Sequence, residues 1–149
     1  MTMNDIPLLS IVIALPLAGS ALVLLMEERW ARAVSLAAAL LTFLATLAPL
    51  YLFQTGQPGF QFVEHHPWVG ALGISWHLGI DGLSLFLLPL TGFLSLAAVL
   101  VSWNAVEQKV KAYFVSFLVL EAGMLGVFAA LDAILFYVFW EAMLIPMFL

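Results

Sequence analysis

No cysteine occurs in the 149 residues, and only four side chains, Arg29, Arg32, Lys109 and Lys111, are basic. The first absence excludes disulfides, thiolate metal sites and cysteine-held clusters. The second excludes nucleic acid as a partner, because four scattered bases make no cationic surface that could follow a phosphate backbone. Charge of either sign is scarce: 9% of residues are charged and 65% are hydrophobic. A soluble domain carries about 25% charged residues to wet its surface, so the solvent that suits this composition is lipid. The mean hydropathy of +1.16 agrees. The N-terminus has neither the basic segment nor the small-residue cleavage site of a signal peptide, so the first apolar run reads as a retained helix. A glycine-rich phosphate loop, a dinucleotide fingerprint and a nucleophile triad are also missing. The residues by themselves show no redox centre, no bound cofactor and no active site.

What the chain does have is long apolar runs. A membrane-spanning helix needs about 20 mostly apolar residues. Such runs cover about 6–26, 33–53, 78–103 and 112–131, and a fifth begins at Ala133 and is still apolar at Leu149. The expectation is an all-α polytopic membrane bundle of about five helices, forming a single membrane domain. Because the last run is not closed by a polar cap, the chain is expected to be the N-terminal part of a larger subunit. Asp132 separates the last two runs and is placed to cap the helix that follows it.

All four bases fall in the first and third connections. The positive-inside rule then puts those connections in the cytoplasm. The N-terminus, the 54–77 segment and the Asp132 turn fall on the outer face. Within 54–77, the alternating stretches Gln61-Phe62-Val63 and Ile74-Ser75-Trp76-His77, with Pro67 and Gly70 between them, suit a small β-hairpin. Trp68, Trp76 and Trp103 fall where interfacial aromatic belts lie. His65, His66 and His77 share this loop, but their pattern is too sparse to indicate zinc. Gly123 and Gly126 offer a close-packing surface between helices.

Two carboxylates stand out within the apolar runs, Glu121 and Glu141. An ionisable group at mid-membrane costs about 2.5–3.5 kcal/mol on insertion scales, and such groups usually face a bundle interior or a wet path. At 1.5 Å per residue, Glu121 lies ~17 Å and Glu141 ~14 Å from the Asp132 turn. Both are thus expected near the bilayer centre, at similar depth on neighbouring antiparallel helices. They can belong to a proton path, or they can be neutral acids held by a neighbouring backbone or hydroxyl group. Pro146, five residues beyond Glu141, cannot donate a hydrogen bond to the Ala142 carbonyl. A hydrated kink there would suit proton transfer, although proline is common in membrane helices. Asp81, at the outer mouth of the third helix, is read as a capping acid.

Two stretches carry a resemblance: LGIDGLSLFLLPLTGFL, Leu78 to Leu94, and EAGMLGVFAALDAILFYVFWEAMLIPM, Glu121 to Met147. Together they resemble the antiporter-like membrane subunits of respiratory complex I, the NADH–quinone oxidoreductases. The FYVFWEAMLIP run is the more specific. The IDGLS run is shared with subunits of multisubunit cation/proton antiporters, which remain the alternative, together with a purely structural membrane role. The resemblance implies a subunit of about fourteen helices. It implies that Glu141 is the fifth-helix glutamate of a proton half-channel, paired with a lysine on a later helix absent from this chain. Glu121 matches an acid found in part of the family. The implied work is proton translocation driven by redox chemistry elsewhere. NAD, flavin, iron–sulfur clusters and quinone would be held by partner subunits, and the implied location is a bacterial plasma membrane.

Overall fold

The computed structural model describes residues 6–70 and 73–148. Five helices and one β-hairpin follow in the order α1 (Leu8–Leu25), α2 (Glu28–Leu52), β1 (Gln61–Val69), β2 (Ile74–Ile80), α3 (Ser84–Ala105), α4 (Val110–Ala129) and α5 (Ala133–Met147). The first four helices are long and apolar enough to cross a membrane, and α5 is a shorter apolar helix of 15 residues. The expectations placed on the N-terminal residues and on Leu149 lie outside the described residues.

Two helix starts differ from those read in the sequence. The second helix begins at Glu28 rather than near 33, so Arg29, Trp30 and Arg32 are helical. The two arginines break the apolar run in the sequence without interrupting the helix. Arg29 pairs with Glu27 at 2.9 Å, both largely exposed. The third helix begins at Ser84 rather than near Leu78. Leu78 and Ile80 are apolar because they are buried strand residues, fully covered at the end of β2.

The hairpin in the 54–77 segment is present and longer than the two alternating stretches suggest. It is antiparallel, with His65 opposite His77 and Pro67 opposite Ser75. A two-stranded ribbon is marginal alone, and this one is held by the helices beneath it. The Leu131 N–H donates to the His77 carbonyl at 2.8 Å, and Leu78 bridges to Ala130. Leu9, Ile80, Leu88, Leu125 and Leu135 form an apolar cluster under the hairpin, drawn from α1, β2, α3, α4 and α5.

α4 is the centre of the bundle and packs on the other four helices. Close approach is set by glycine. A Cβ at Gly123 would come within 2.6 Å of Met143, and one at Gly126 would enter the Phe139 ring, so α5 lies directly on this face of α4. A Cβ at Gly92 would lie 2.9 Å from the Phe43 backbone, which fixes how α3 sits against α2. The opposite faces carry exposed Leu25, Phe86, Leu94 and Val101, as expected where the neighbour is lipid or another apolar helix. The bases gather at one end of the bundle. Arg32 donates to the Val106 carbonyl at 2.9 Å, and Lys111 to the Met26 carbonyl at 2.7 Å. The hairpin occupies the other end.

Asp132 caps α5, its Oδ1 accepting from the backbone N–H groups of Ile134 at 2.9 Å and Leu135 at 3.1 Å. Its Oδ2 accepts from the Ser75 backbone N–H at 3.3 Å, joining the cap to β2. The Leu135 and Ser75 backbone donors lead in holding its carboxyl below the ordinary value of 3.8. A depressed carboxyl stabilises the fold above its unfolded-state value, and that stabilisation is lost as pH falls through the folded value. We therefore expect the hairpin to become protease-sensitive as pH falls below the ordinary carboxyl value of 3.8. Asp132→Asn should be sensitive already at neutral pH and show less of this dependence. Identical cleavage profiles for the two proteins would show that the cap does not hold the hairpin.

Candidate functional site: a buried acid on a polar seam

Glu121 is fully buried in α4. Neither of its carboxyl oxygens has a hydrogen-bond partner among the described residues. The Ser95 hydroxyl on α3 is the polar group it faces. This is costly: an unsatisfied polar group in an apolar interior costs about 1–3 kcal/mol by protein measurements, and a lone charge far more.

The neighbourhood of Glu121 is built by two helices with mirrored hydroxyl patterns. Ser35, Thr42 and Thr46 lie on one face of α2, and Thr91, Ser95 and Ser102 on one face of α3. All six are buried. The helices run antiparallel, with Gly92 against Phe43 and Thr46 and Arg32 reaching Val106. In that register Ser35 is level with Ser102, Thr42 with Ser95, and Thr46 with Thr91. α4 closes the seam: Tyr113 meets Ser102 through hydroxyls 2.8 Å apart, and Glu121 stands at the Ser95 level.

Glu141 lies elsewhere. It is exposed on α5. Phe139 and Met143 turn toward Gly123 and Gly126 of α4, and Glu141, between them in sequence, falls on the other side of the helix. The two acids are on neighbouring antiparallel helices, as expected. Met143 opposite Gly123 and Phe139 opposite Gly126 put Glu141 about 5 Å from Glu121 in depth at 1.5 Å per residue. They do not face one another. No lysine or arginine lies beside either acid, since the bases are confined to the bundle end. Pro146 is within α5, which continues through it to Met147. It lines an open groove at the basic end together with Tyr113, Phe117 and Leu120, on a different side of α5 from Glu141.

Asp81 accepts from the Leu83 N–H at 3.1 Å and the Ser84 N–H at 2.8 Å, so it caps α3. The Ser84 backbone donor leads in lowering its carboxyl below the ordinary value. A third acid at this end was missed by sequence reasoning. Glu64 of β1 is buried and accepts from the backbone N–H groups of Leu9 at 2.7 Å and Ser10 at 3.2 Å, and from the Ser10 hydroxyl. The Trp76 indole donates to that same hydroxyl at 2.8 Å. Glu64 thus caps α1 from 55 residues away in sequence, a tertiary contact with no local signal. The three helix N-termini at the hairpin end are each held by a carboxylate. The mirrored serine and threonine spacing was visible in the sequence, but its meaning depends on the α2–α3 register. Among the described residues no group of three His, Asp or Glu side chains is placed to hold a metal.

No protein-family model matches the chain. Curated relatives do. Subunit M of NADH-quinone oxidoreductase from Rhodobacter capsulatus is 46% identical over 149 residues, covering 95% of this chain and 28% of that protein. The subunit M of Rickettsia felis is 35% identical, covering 99% of this chain and 31% of that protein. NADH-ubiquinone oxidoreductase chain 4 of Arabidopsis thaliana is 42% identical over 144 residues, covering 95% and 29%. A chain in the structure of respiratory complex I from Thermus thermophilus with bound NADH matches at a TM-score of 0.75 and 33% identity, covering 95% of this chain and 27% of that chain. The chain therefore spans a little under a third of the length of the relatives it matches. By sequence and by fold, the chain is similar over this span to complex I membrane subunits named subunit M or chain 4.

Proposed function

We propose that the chain works within a proton-translocating membrane subunit of an NADH:quinone oxidoreductase, and that its own part in the work is proton transfer through mid-membrane carboxylates. The observation that carries this reading is Glu121: a fully buried carboxyl, at mid-depth in an apolar bundle, with both oxygens unpartnered. Evolution can satisfy such a group cheaply with a nearby donor. Leaving it unsatisfied is expected where the group must exchange a proton. Glu141 is the second acid on this reading. Its exposed face is where a later helix of the whole subunit, bearing a lysine, would lie.

The chain supplies no oxidising or reducing group on this proposal. NAD, flavin, iron–sulfur clusters and quinone belong to partner subunits, and electron transfer there drives proton movement here. The basic end faces the cytoplasm of a bacterial plasma membrane and the hairpin faces outward, following the positive-inside rule.

Two tests separate this from a cation/proton antiporter or a structural role. Genes encoding NADH-binding and cluster-binding subunits should flank this one; flanking cation-exchanger genes would contradict the proposal. In membrane vesicles carrying the assembled complex, Glu121→Gln should lower NADH-driven proton movement by roughly two- to threefold, the value of about 0.5 kcal/mol in barrier height. Unchanged proton movement would return Glu121 to a structural role.

A further inference from the structure

All the buried, unpartnered side-chain atoms found among the described residues are Arg32 Nε, Ser35 Oγ, Ser95 Oγ and the two oxygens of Glu121. They are not scattered. Arg32 and Ser35 lie on α2, Ser95 on α3 and Glu121 on α4, and each borders the single seam between these helices. They also occupy only half of it. From Glu121 toward the hairpin, the hydroxyls are satisfied at home. Thr42 donates to the Ala38 carbonyl at 2.9 Å, Thr46 to Phe43 at 2.6 Å and Thr91 to Leu87 at 2.8 Å. Beyond them Leu88 and Leu125 belong to the apolar cluster beneath the hairpin. From Glu121 toward the basic end, Ser95 Oγ, Ser35 Oγ and Arg32 Nε lack partners, while Ser102 is bonded to Tyr113 and the Arg32 Nη2 to the Val106 carbonyl.

Buried polar atoms without protein partners are where internal water is found, each water making about three hydrogen bonds. We propose that the seam between α2, α3 and α4 holds a short file of water running from the basic end to Glu121, and that Glu121 draws its protons from that side. The proposal rests on the proton-translocation reading and adds a direction and a route to it. Seven residues separate Ser95 from Ser102, ~10 Å along the helix, a gap that a few hydrogen-bonded waters bridge. Ser35 and Ser95 each have a hydroxyl free to donate and to accept, as a relay requires. At the lower end Tyr113 joins two spaces. Its hydroxyl bonds to Ser102 inside the seam, and its ring lines an open groove of about 460 Å³ that also touches Gln108, Lys109 and Ser116. The groove is the mouth and the Tyr113–Ser102 pair is its inner door. The charged and titratable groups along the route are Arg32, Lys109, Tyr113 and Glu121. The dry end toward the hairpin prevents the file from becoming a leak across the membrane.

The test uses the assembled complex in lipid. Density at a resolution that shows ordered water should place one water within hydrogen-bond reach of both Ser95 Oγ and the Glu121 carboxyl, and another at Ser35. Ser95→Ala, in complex assembled to normal amount, should slow proton translocation roughly twofold, no more than Glu121→Gln itself and within the range of one lost hydrogen bond. The slowing should grow as cytoplasmic pH rises and protons become limiting, and Ser95→Thr should restore most of the rate. A dry seam, with Glu121 bonded directly to another side chain, overturns the proposal. So does a hydrated seam in which Ser95→Ala pumps at the normal rate at every pH. Water density is read without reference to turnover, so failure here is distinguishable from failure of the translocation reading, which Glu141→Gln decides.

Discussion

Glu64→Ala is expected to remove most of the subunit from the assembled complex. Glu64 closes α1 from outside the helix, accepting from two backbone N–H groups and one hydroxyl while almost wholly buried. Loss of a helix cap costs about 1–2 kcal/mol. Here the cost is larger, because the buried Leu9 donor loses its acceptor, at about 1–3 kcal/mol for an unsatisfied group. The same change removes the tie between β1 and α1, and through Ser10 the tie to Trp76. Domain stability is only about 5–15 kcal/mol, so this loss is large in proportion. Glu64→Gln keeps one carbonyl acceptor and should retain most of the subunit. The measurement is the amount of complex recovered on a native gel, with protease sensitivity of the hairpin as a second reading. Full recovery of Glu64→Ala with an intact hairpin would show that the clasp is dispensable.

Glu141→Gln is expected to leave assembly normal and to reduce proton translocation, with the quinone reduction coupled to it, to below about a tenth of the normal rate, within the range ascribed to a positioned acid–base group. Glutamine preserves the size and the hydrogen-bonding reach of the side chain but cannot bind and release a proton. Because Glu141 stands on the open side of α5, its environment is completed by whatever packs there. A carboxylate left facing lipid would cost about 2.5–3.5 kcal/mol, so the acid requires a polar or cationic neighbour on that face. Its role differs from that of Glu121, which is enclosed by this chain's own helices. The larger effect is assigned to Glu141 because it occupies the position that would join this bundle to the next, whereas Glu121 is reached through the seam alone.

The helices were legible because apolar runs of membrane length are hard to mistake, and Asp132 was legible as a cap because capping is a local interaction. Helix starts were harder. Arg29 and Arg32 interrupted the apolar pattern of α2 without interrupting the helix, since an interfacial helix tolerates charge on its first turns. Leu78 and Ile80 extended the apolar pattern of α3 without belonging to it, since burial makes a strand end look like a helix. The depth of Glu121 and Glu141 could be computed from helix rise, but the side of the helix that each faces could not. That depends on Gly123 and Gly126 admitting Phe139 and Met143, which only the packed helices reveal. Glu64 was invisible for the same reason: its partners are on α1, and nothing in Gln61-Phe62-Val63-Glu64 distinguishes a buried cap from a surface acid. The hydroxyl pairs across α2 and α3 were written in the sequence as matching intervals of four and seven, and became readable once the register was known.

Whether the α5 carboxylate moves protons is decided by the number of protons moved per NADH oxidised by vesicles carrying the Glu141→Gln complex, with the amount of assembled complex determined on the same membranes. Normal assembly is expected, with a proton-to-NADH ratio, or a coupled turnover, far below that of the unaltered complex. A normal ratio at a normal turnover would contradict that role, and the acids of α4 and α5 would then be holding helices together.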